Sequence, residues 1–248
     1  MAIPIKSEQQ IQFMRQAGQI TAQLHLLLET EVKPGITTKQ LDEIAEDFIR
    51  SKGAVPSFKG YGGFPGTICA SINEEVIHGI PGSRKLQEGD IISIDTGAYI
   101  NGFHSDAART IAVGNISEEA QKLIDVTKQS FFEGIKYAKA GNHLHEISAA
   151  IGNYAESFGY SVVRDYVGHG VGRNLHEEPQ IPNYSVPSRG PRLCKGMVLA
   201  IEPMINIGTF RVKVLSNDWT VITNDKKLSA HYENTVLITD GEPELLTL

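Results

Sequence analysis

Apolar residues recur three and four apart in some stretches of this chain, and two apart or in unbroken runs in others. Leu41, Ile44, Ala45, Phe48 and Ile49 mark one face of a helix. Thr37 and Gln40 supply a capping box at its start, and Gly53 is placed to end it. Ser7 with Gln10 announces an earlier helix running to about Leu28. The runs TICASI, DIISIDTGA, RTIAV, SVVRDYV, MVLAIEPMI, WTVIT and NTVLIT read as strands, and GYGGFPG and PNYSVPSRGPRL as loops between elements. The chain is therefore mixed α and β, without a low-complexity tract.

The pattern repeats. KLQEGDIISID (85–95) and RLCKGMVLAIE (192–202) share a basic residue, a leucine, a glycine, an aliphatic run and a terminal acid, 107 positions apart. Upstream, LDEIAEDFIRSKGA matches ISAAIGNYAESFGY, with Leu41 over Ile147, Phe48 over Tyr154 and Gly53 over Gly159, 106 positions apart. Two copies are too few for a solenoid, so the expectation is a duplicated αβ unit closed about a pseudo-two-fold axis, one domain over residues 1–248.

Composition narrows the function. With 248 residues, 41% of them hydrophobic, the chain can bury a sizeable core. No apolar run reaches the ~20 residues of a membrane span, and the first residues lack the features of a secretory signal, so the cytoplasm is the expected location. Cys69 and Cys194, the only cysteines, are expected as reduced, partly buried thiols. A net charge of -6 without a long basic run argues against nucleic acid and leaves surplus carboxylates to serve cations.

Two of those carboxylates share a predicted hairpin. Asn101–Gly102 is a strong two-residue turn signal. If Ile100 pairs with Phe103, Asp106 lies opposite Gly97, and Asp95 points to the same face as a diagonal neighbour ~7 to 8 Å away. A bulge would break that geometry, and two solvated acids remain the alternative for this hairpin alone. The second half adds Glu202, ending MVLAI before Pro203, and Glu233 ahead of NTVLIT. In YVGHGVGRNLHEEP, His169 and His176 stand among three glycines. An acid ending a buried strand is costly unless compensated. Four carboxylates with one imidazole form a hard, oxygen-rich set suited to a pair of divalent ions, which lowers the pKa of bound water towards ~7. That chemistry is hydrolysis.

The order Asp95, Asp106, His169, Glu202, Glu233, set in NGFHSD, GHGVG and IEPM, closely resembles the type I methionine aminopeptidases. The resemblance spans nearly the whole chain. It implies an α+β pita-bread (creatinase/aminopeptidase-like) fold, with the pseudo-two-fold repeat around a central curved antiparallel sheet. It also implies a dinuclear site in which Asp95 chelates one ion, Asp106 and Glu233 bridge, and His169 and Glu202 complete the other. Glu202 is then the proton carrier, His176 the contact to the scissile carbonyl, and His78 the contact near the amide of the second residue. The implied reaction removes the initiator methionine of nascent proteins when the second residue is small and uncharged. Phe58, Tyr61, Phe64, Cys69, Leu175 and Trp219 are placed in the methionine pocket by the resemblance, and their apolar, ring-bearing chemistry suits a thioether. The ions are divalent, with Co, Mn, Fe, Ni and Zn all acceptable to such ligands.

The chain departs from the family pattern at Asn234, where histidine is usual, at Cys194, where proline is common, at Leu175, often aromatic, and at Phe58, cysteine in some members. These put substrate range in question more than chemistry. Prolidases, Xaa-Pro aminopeptidases and creatinase share the fold but carry a large extra N-terminal domain, and type II methionine aminopeptidases insert a subdomain between His176 and Glu202, where this chain has no room. The resemblance further implies nascent N-termini as partners, ribosome association, no membrane contact and a monomer. His25, His104, His143, His145 and His231 are read as surface or supporting side chains.

Overall fold

The computed structural model describes residues 3–248. Both capping boxes form. Ser7 Oγ accepts from the Gln10 backbone N–H while Gln10 Oε1 accepts from that of Ser7, opening α1 (Glu8–Glu31). Thr37 and Gln40 do the same for α2 (Thr38–Ser51). Helix α2 buries Leu41, Ala45 and Ile49 against a cluster that includes Leu24, Leu28 and Ile92. Each fully buried Leu or Ile there stabilises by ~1.5–3 kcal/mol. A helix the apolar pattern did not single out, α3 (Glu118–Ile135), pairs with α4 (Leu144–Ser157). Its buried face includes Thr127 and Ser130, whose hydroxyls bond back to the helix carbonyls of Leu123 and Thr127, and these polar positions blur the period.

The strands of the first half are β1 (Ile68–Ile72), β2 (Ile91–Thr96), β3 (Ala98–Ile100), β4 (Phe103–His104) and β5 (Ala107–Ala112). Central β2 pairs antiparallel with β1 and β5. Those of the second half are β6 (Gly168–Gly170), β7 (Glu177–Ile181), β8 (Val198–Ile201), β9 (Met204–Asn206), β10 (Ser229–His231) and β11 (Asn234–Leu237). Here β8 is central, between β6 and β11. The run SVVRDYV gives a strand only at Ser161–Val162, after which the chain turns towards β6. Every strand pair is antiparallel.

The duplication is visible in the backbone. Helices α2 and α4 are each 14 residues long and start 106 positions apart, at 38 and 144. The helix stops Gly53 and Gly159 take φ values of 72° and 80°, a left-handed conformation that glycine adopts without strain. Even the isolated bridges correspond, Thr37 with Lys85 and His143 with Arg192. At the seam between halves, Glu233 N–H donates to Ala108 O (3.0 Å), and Thr235 Oγ1 lies within 2.9 Å of both the N–H and the carbonyl oxygen of Asp106. The two sheets therefore meet edge to edge where the acids are.

Candidate metal centre

The hairpin register decides where the first two acids point. Ile100 pairs with Phe103 and Tyr99 with His104, while Thr96 pairs with Ala107 beyond the turn, so one register runs through Gly97 without a bulge. Asp106 thus faces Gly97, and Asp95 lies on the same side of the sheet. A Cβ on Gly97 would collide with the Ser105 carbonyl oxygen, which is why the crossing holds a glycine.

The second half aims its donors by interrupting its ladder. Strand β8 ends at Ile201, opposite Asn234, so the continued register sets Glu202 across from Glu233. Pro203 follows, and the chain resumes as β9 against β10 in the same register, Met204 opposite His231. His169 projects from β6 between two glycines that lie tight against their neighbours. A Cβ on Gly168 would strike Ala200 O, and one on Gly170 would strike Glu178 O. His169 Nδ1 is 2.8 Å from Gly170 O, so this nitrogen carries the hydrogen and Nε2 presents its lone pair to the acids. Nε2 stands 3.7 Å from Asp106 Oδ2 and 3.5 Å from Glu202 Oε1.

Asp106, His169 and Glu233 are all buried, with ligand atoms within 4.8 Å of one another. Asp95 adjoins Asp106 and Glu233, and Glu202 adjoins His169. Burial raises the pKa of all four carboxyls, that of Asp95 to about 7, and mutual repulsion adds to the shift in Asp106, Glu202 and Glu233. Burial likewise lowers His169 to about 3, keeping the imidazole neutral. Asp95 Oδ1, Asp106 Oδ1 and Glu233 Oε1 are buried without a hydrogen-bond partner among the described residues. Orphaned acidic oxygens facing a neutral imidazole lone pair are what divalent cations satisfy, so this donor set fits them.

The acids form the floor of a cavity of about 170 Å³. Its walls are Phe58, Phe64, Cys69 and Leu175, which form one apolar cluster with Trp219 packed against it, and Tyr61 at the rim. Trp219 meets Phe64 edge-on at 5.2 Å and His78 at 6.4 Å. Cys69 lies beside Asp95 in the β1–β2 ladder, and burial pushes its thiol pKa up, so it acts as an apolar wall. Ligand pockets usually exceed ~300 Å³, so this cavity admits one side chain and leaves the rest of a ligand outside. His78 and His176 sit at the mouth, both with pKa lowered by burial, His78 to about 4. The His176 ring lies 4.2 Å from that of His169, and its Nδ1 is 2.8 Å from Tyr61 Oη.

Of the histidines read as surface or supporting, His143 and His145 sit at the start of α4 near the backbone of the 189–190 loop, and His104 lies on Tyr99 and bonds Ser57. His25 and His231 are instead wholly interior. Cys194, expected partly buried, is exposed in the turn before Met197. One residue that supports the site, Arg109, escaped the sequence reading, and another, His231, was placed only among the surface or supporting histidines. Arg109 donates to the backbone of Ala108, Glu233 and Thr247 and to Asn234 Oδ1, clamping the main chain behind Glu233. His231 stands beside Glu202. Its place two residues before Glu233, on the same face of an extended chain, is the signal that would have found it.

The chain is similar to known proteins along nearly its whole length. The model of metallopeptidase family M24 matches residues 12–240. A methionine aminopeptidase of Clostridium acetobutylicum is 62% identical over 99% of both chains. The crystal structure of methionine aminopeptidase from Rickettsia prowazekii superposes with a TM-score of 0.97 at 40% identity, covering 100% of each chain. The prolidase of Pyrococcus furiosus superposes at 0.78 and 26% identity, this chain covering 65% of that longer protein.

Proposed function

The chain belongs to metallopeptidase family M24, and from that premise we propose that it hydrolyses the first peptide bond of polypeptides beginning with methionine, using two divalent ions. The observation that carries this reading is the direct opening of the acid-lined floor onto a small apolar pocket. One side chain enters the pocket, and the bond that follows it lies over the carboxylates.

The ions would be held by Asp95, Asp106, His169, Glu202 and Glu233, and when bound they supply Lewis acidity and a hydroxide-strength nucleophile at neutral pH. The remaining work belongs to the protein. Glu202 Oε1 faces the reacting centre beside His169, and Glu202 takes the proton of the attacking water and passes it to the leaving amine. His176 donates to the oxyanion of the tetrahedral intermediate. For Nε2 of a neutral ring to carry that hydrogen, Tyr61 Oη must donate to Nδ1, which the 2.8 Å contact permits. His78, edge-on to Trp219 and to Tyr166, contacts the amide of the second residue. On this reading the second residue is small and uncharged, since it lies close to His78 and the acids.

Among the described residues no helix is long and apolar enough to cross a membrane. Action on nascent N-termini in the cytoplasm, near the ribosome and as a monomer, completes the proposal.

Mass spectrometry of peptides incubated with the metal-loaded protein tests it. Burying the methionine side chain is worth ~1.5–3 kcal/mol, enough to prefer it to alanine but not to a near-isostere. Met-Ala-Ser and norleucine-Ala-Ser are therefore cleaved, while Leu-Ala-Ser and Met-Phe-Ser resist. Comparable rates on all four would refute the pocket assignment.

A further inference from the structure

Glu202 lies between two imidazoles. Its Oε1 is 3.5 Å from His169 Nε2, and its Oε2 is 3.7 Å from His231 Nε2. The same His231 nitrogen is 4.0 Å from Glu233 Oε2. His231 is 1% exposed, and neither of its ring nitrogens has a hydrogen-bond partner among the described residues. A buried polar group left unsatisfied is destabilising, so a fully enclosed imidazole with two idle nitrogens beside two carboxylates calls for an explanation beyond packing. The backbone of His231 is fixed from both sides. Its N–H donates to Thr110 Oγ1, its carbonyl accepts from the same hydroxyl, both at 2.9 Å, and it pairs with Met204 across the β9–β10 ladder. Those anchors hold the ring against the acids.

We propose that His231 is a positioning residue for the reaction, its neutral Nε2–H donating to Glu202 Oε2 so that Oε1 alone faces His169 and the reacting centre. The contact stands just outside hydrogen-bond range, and a small turn of the Glu202 carboxylate closes it. The interaction is that of a fixed ring donor with a carboxylate. His231 also borders a separate cavity of about 530 Å³ between α1 and α3, which His25 and Arg109 line too. Glu202 is thereby given two distinct oxygens, one tied and one free. A proton carrier that also belongs to the donor set needs this division, because rotation about its terminal bond would otherwise exchange the two roles. Supporting hydrogen bonds of this kind typically change metal affinity or activity by ~10–100-fold.

The inference rests on the reading of Glu202 given above, and its test is read separately. Mn²⁺ is titrated calorimetrically into wild type, His231→Gln and His231→Leu, and kcat and KM are measured on Met-Ala-Ser. The leucine variant is expected to keep the wild-type number of Mn²⁺ ions, bind them about tenfold more weakly and lose at least tenfold in kcat, with KM within about twofold. Glutamine, which still presents an N–H donor, recovers most of both losses. If leucine prevents folding, as judged by circular dichroism, His231→Phe replaces it as an enclosed ring without a donor. A reduced number of bound ions would make His231 a ligand and overturn the proposal. So would equal defects in the glutamine and leucine variants, or unchanged affinity and kcat in both. Should wild type bind Mn²⁺ but leave Met-Ala-Ser intact, the substrate reading fails while the affinity series still decides the role of His231.

Discussion

The two halves of the chain share one αβ design and use it differently. In the first half β2 runs unbroken to Thr96, and its acid, Asp95, stays within the ladder opposite Ala108. In the second, the matching strand stops at Ile201, so that Glu202 and Glu233 face each other beyond the last pair. Ala108 and Glu233 meet at the seam through a backbone hydrogen bond, a small residue on one side and a carboxylate on the other. Perfect repetition would have set four acids directly across from one another. The first half instead moves its second acid to Asp106, diagonal to Asp95. A symmetric backbone thus carries an asymmetric set of donors, and only the second half adds an imidazole to it.

The sharpest test of this division is metal removal. Four buried carboxyls with raised pKa values repel one another, and divalent charge relieves that repulsion in both halves at once. Rigorous chelation is expected to abolish peptide hydrolysis and lower the thermal midpoint, and Mn²⁺ or Co²⁺ to restore both. Activity surviving in protein shown to be metal-free would end the two-metal reading.

Next come substitutions that separate the holding of ions from the moving of protons. Glu202→Gln is expected to lower kcat by ~10²–10⁴-fold, the usual worth of a general base. His176→Ala should lose ~10²–10³-fold, with kcat falling more than KM rises, because its contact is to the oxyanion. A pure KM effect at His176 would assign it to substrate binding instead.

The unequal halves also explain what the sequence disclosed. The capping boxes at Ser7 and Thr37 are local, and each is made by residues three apart. The Asn101–Gly102 turn fixes the register of Asp95 and Asp106 by itself, since both central residues take positive φ, 54° and 83°. Nothing local does this for Glu202 and Glu233, which are brought together by a strand pairing across more than thirty residues. They entered the reading as acids at the ends of apolar strands, and the likeness to a family supplied their order and roles. Arg109 was hidden for the same reason, because its partners Glu233, Asn234 and Thr247 are distant in sequence. Helix α3 was obscured by buried hydroxyls satisfied within the helix itself.

Glycine substitutions probe the two ladders on equal terms. A Cβ on Gly97 in the first half, or on Gly170 in the second, meets a carbonyl oxygen well inside van der Waals contact. Each alanine variant is expected to lose ~1–3 kcal/mol in urea unfolding, as overpacking of a rigid site does. Gly82→Ala is the control, since its Cβ would have nothing nearer than Ile80 O at 4.0 Å, and it should lie within ~0.5 kcal/mol of wild type. Gly170→Ala should in addition weaken metal binding through His169. If Gly170→Ala matched the control, the close passage of β6 would not be what holds His169 in place.

The smallest effect is expected from the first-half side of the seam, behind Asp106. His25 is buried in α1, and its Nε2 lies 2.9 Å from Ala107 O, next to Asp106, so the hydrogen sits on Nε2 and the ring is neutral. Burial, reinforced by nearby Arg109, lowers its pKa to about 3. The unfolded chain takes up a proton here below the ordinary value of ~6.5 and the folded chain does not, so this contribution to stability is complete above ~6.5 and declines as pH falls towards 3. The slope is ~1.4 kcal/mol per pH unit in that window. His25→Gln keeps a donor for Ala107 O but cannot titrate. Its stability should therefore fall less than that of wild type on acidification, the difference between the two shifting by ~2 kcal/mol between pH 7 and pH 5. Other titrating groups are common to both proteins and cancel in that difference, while kcat at pH 7.5 should stay within about twofold, since His25 touches only backbone behind the site. A difference that does not change with pH would mean that His25 is protonated in the folded chain. The first-half edge of the seam would then carry a second buried cation beside Arg109, close behind Asp106.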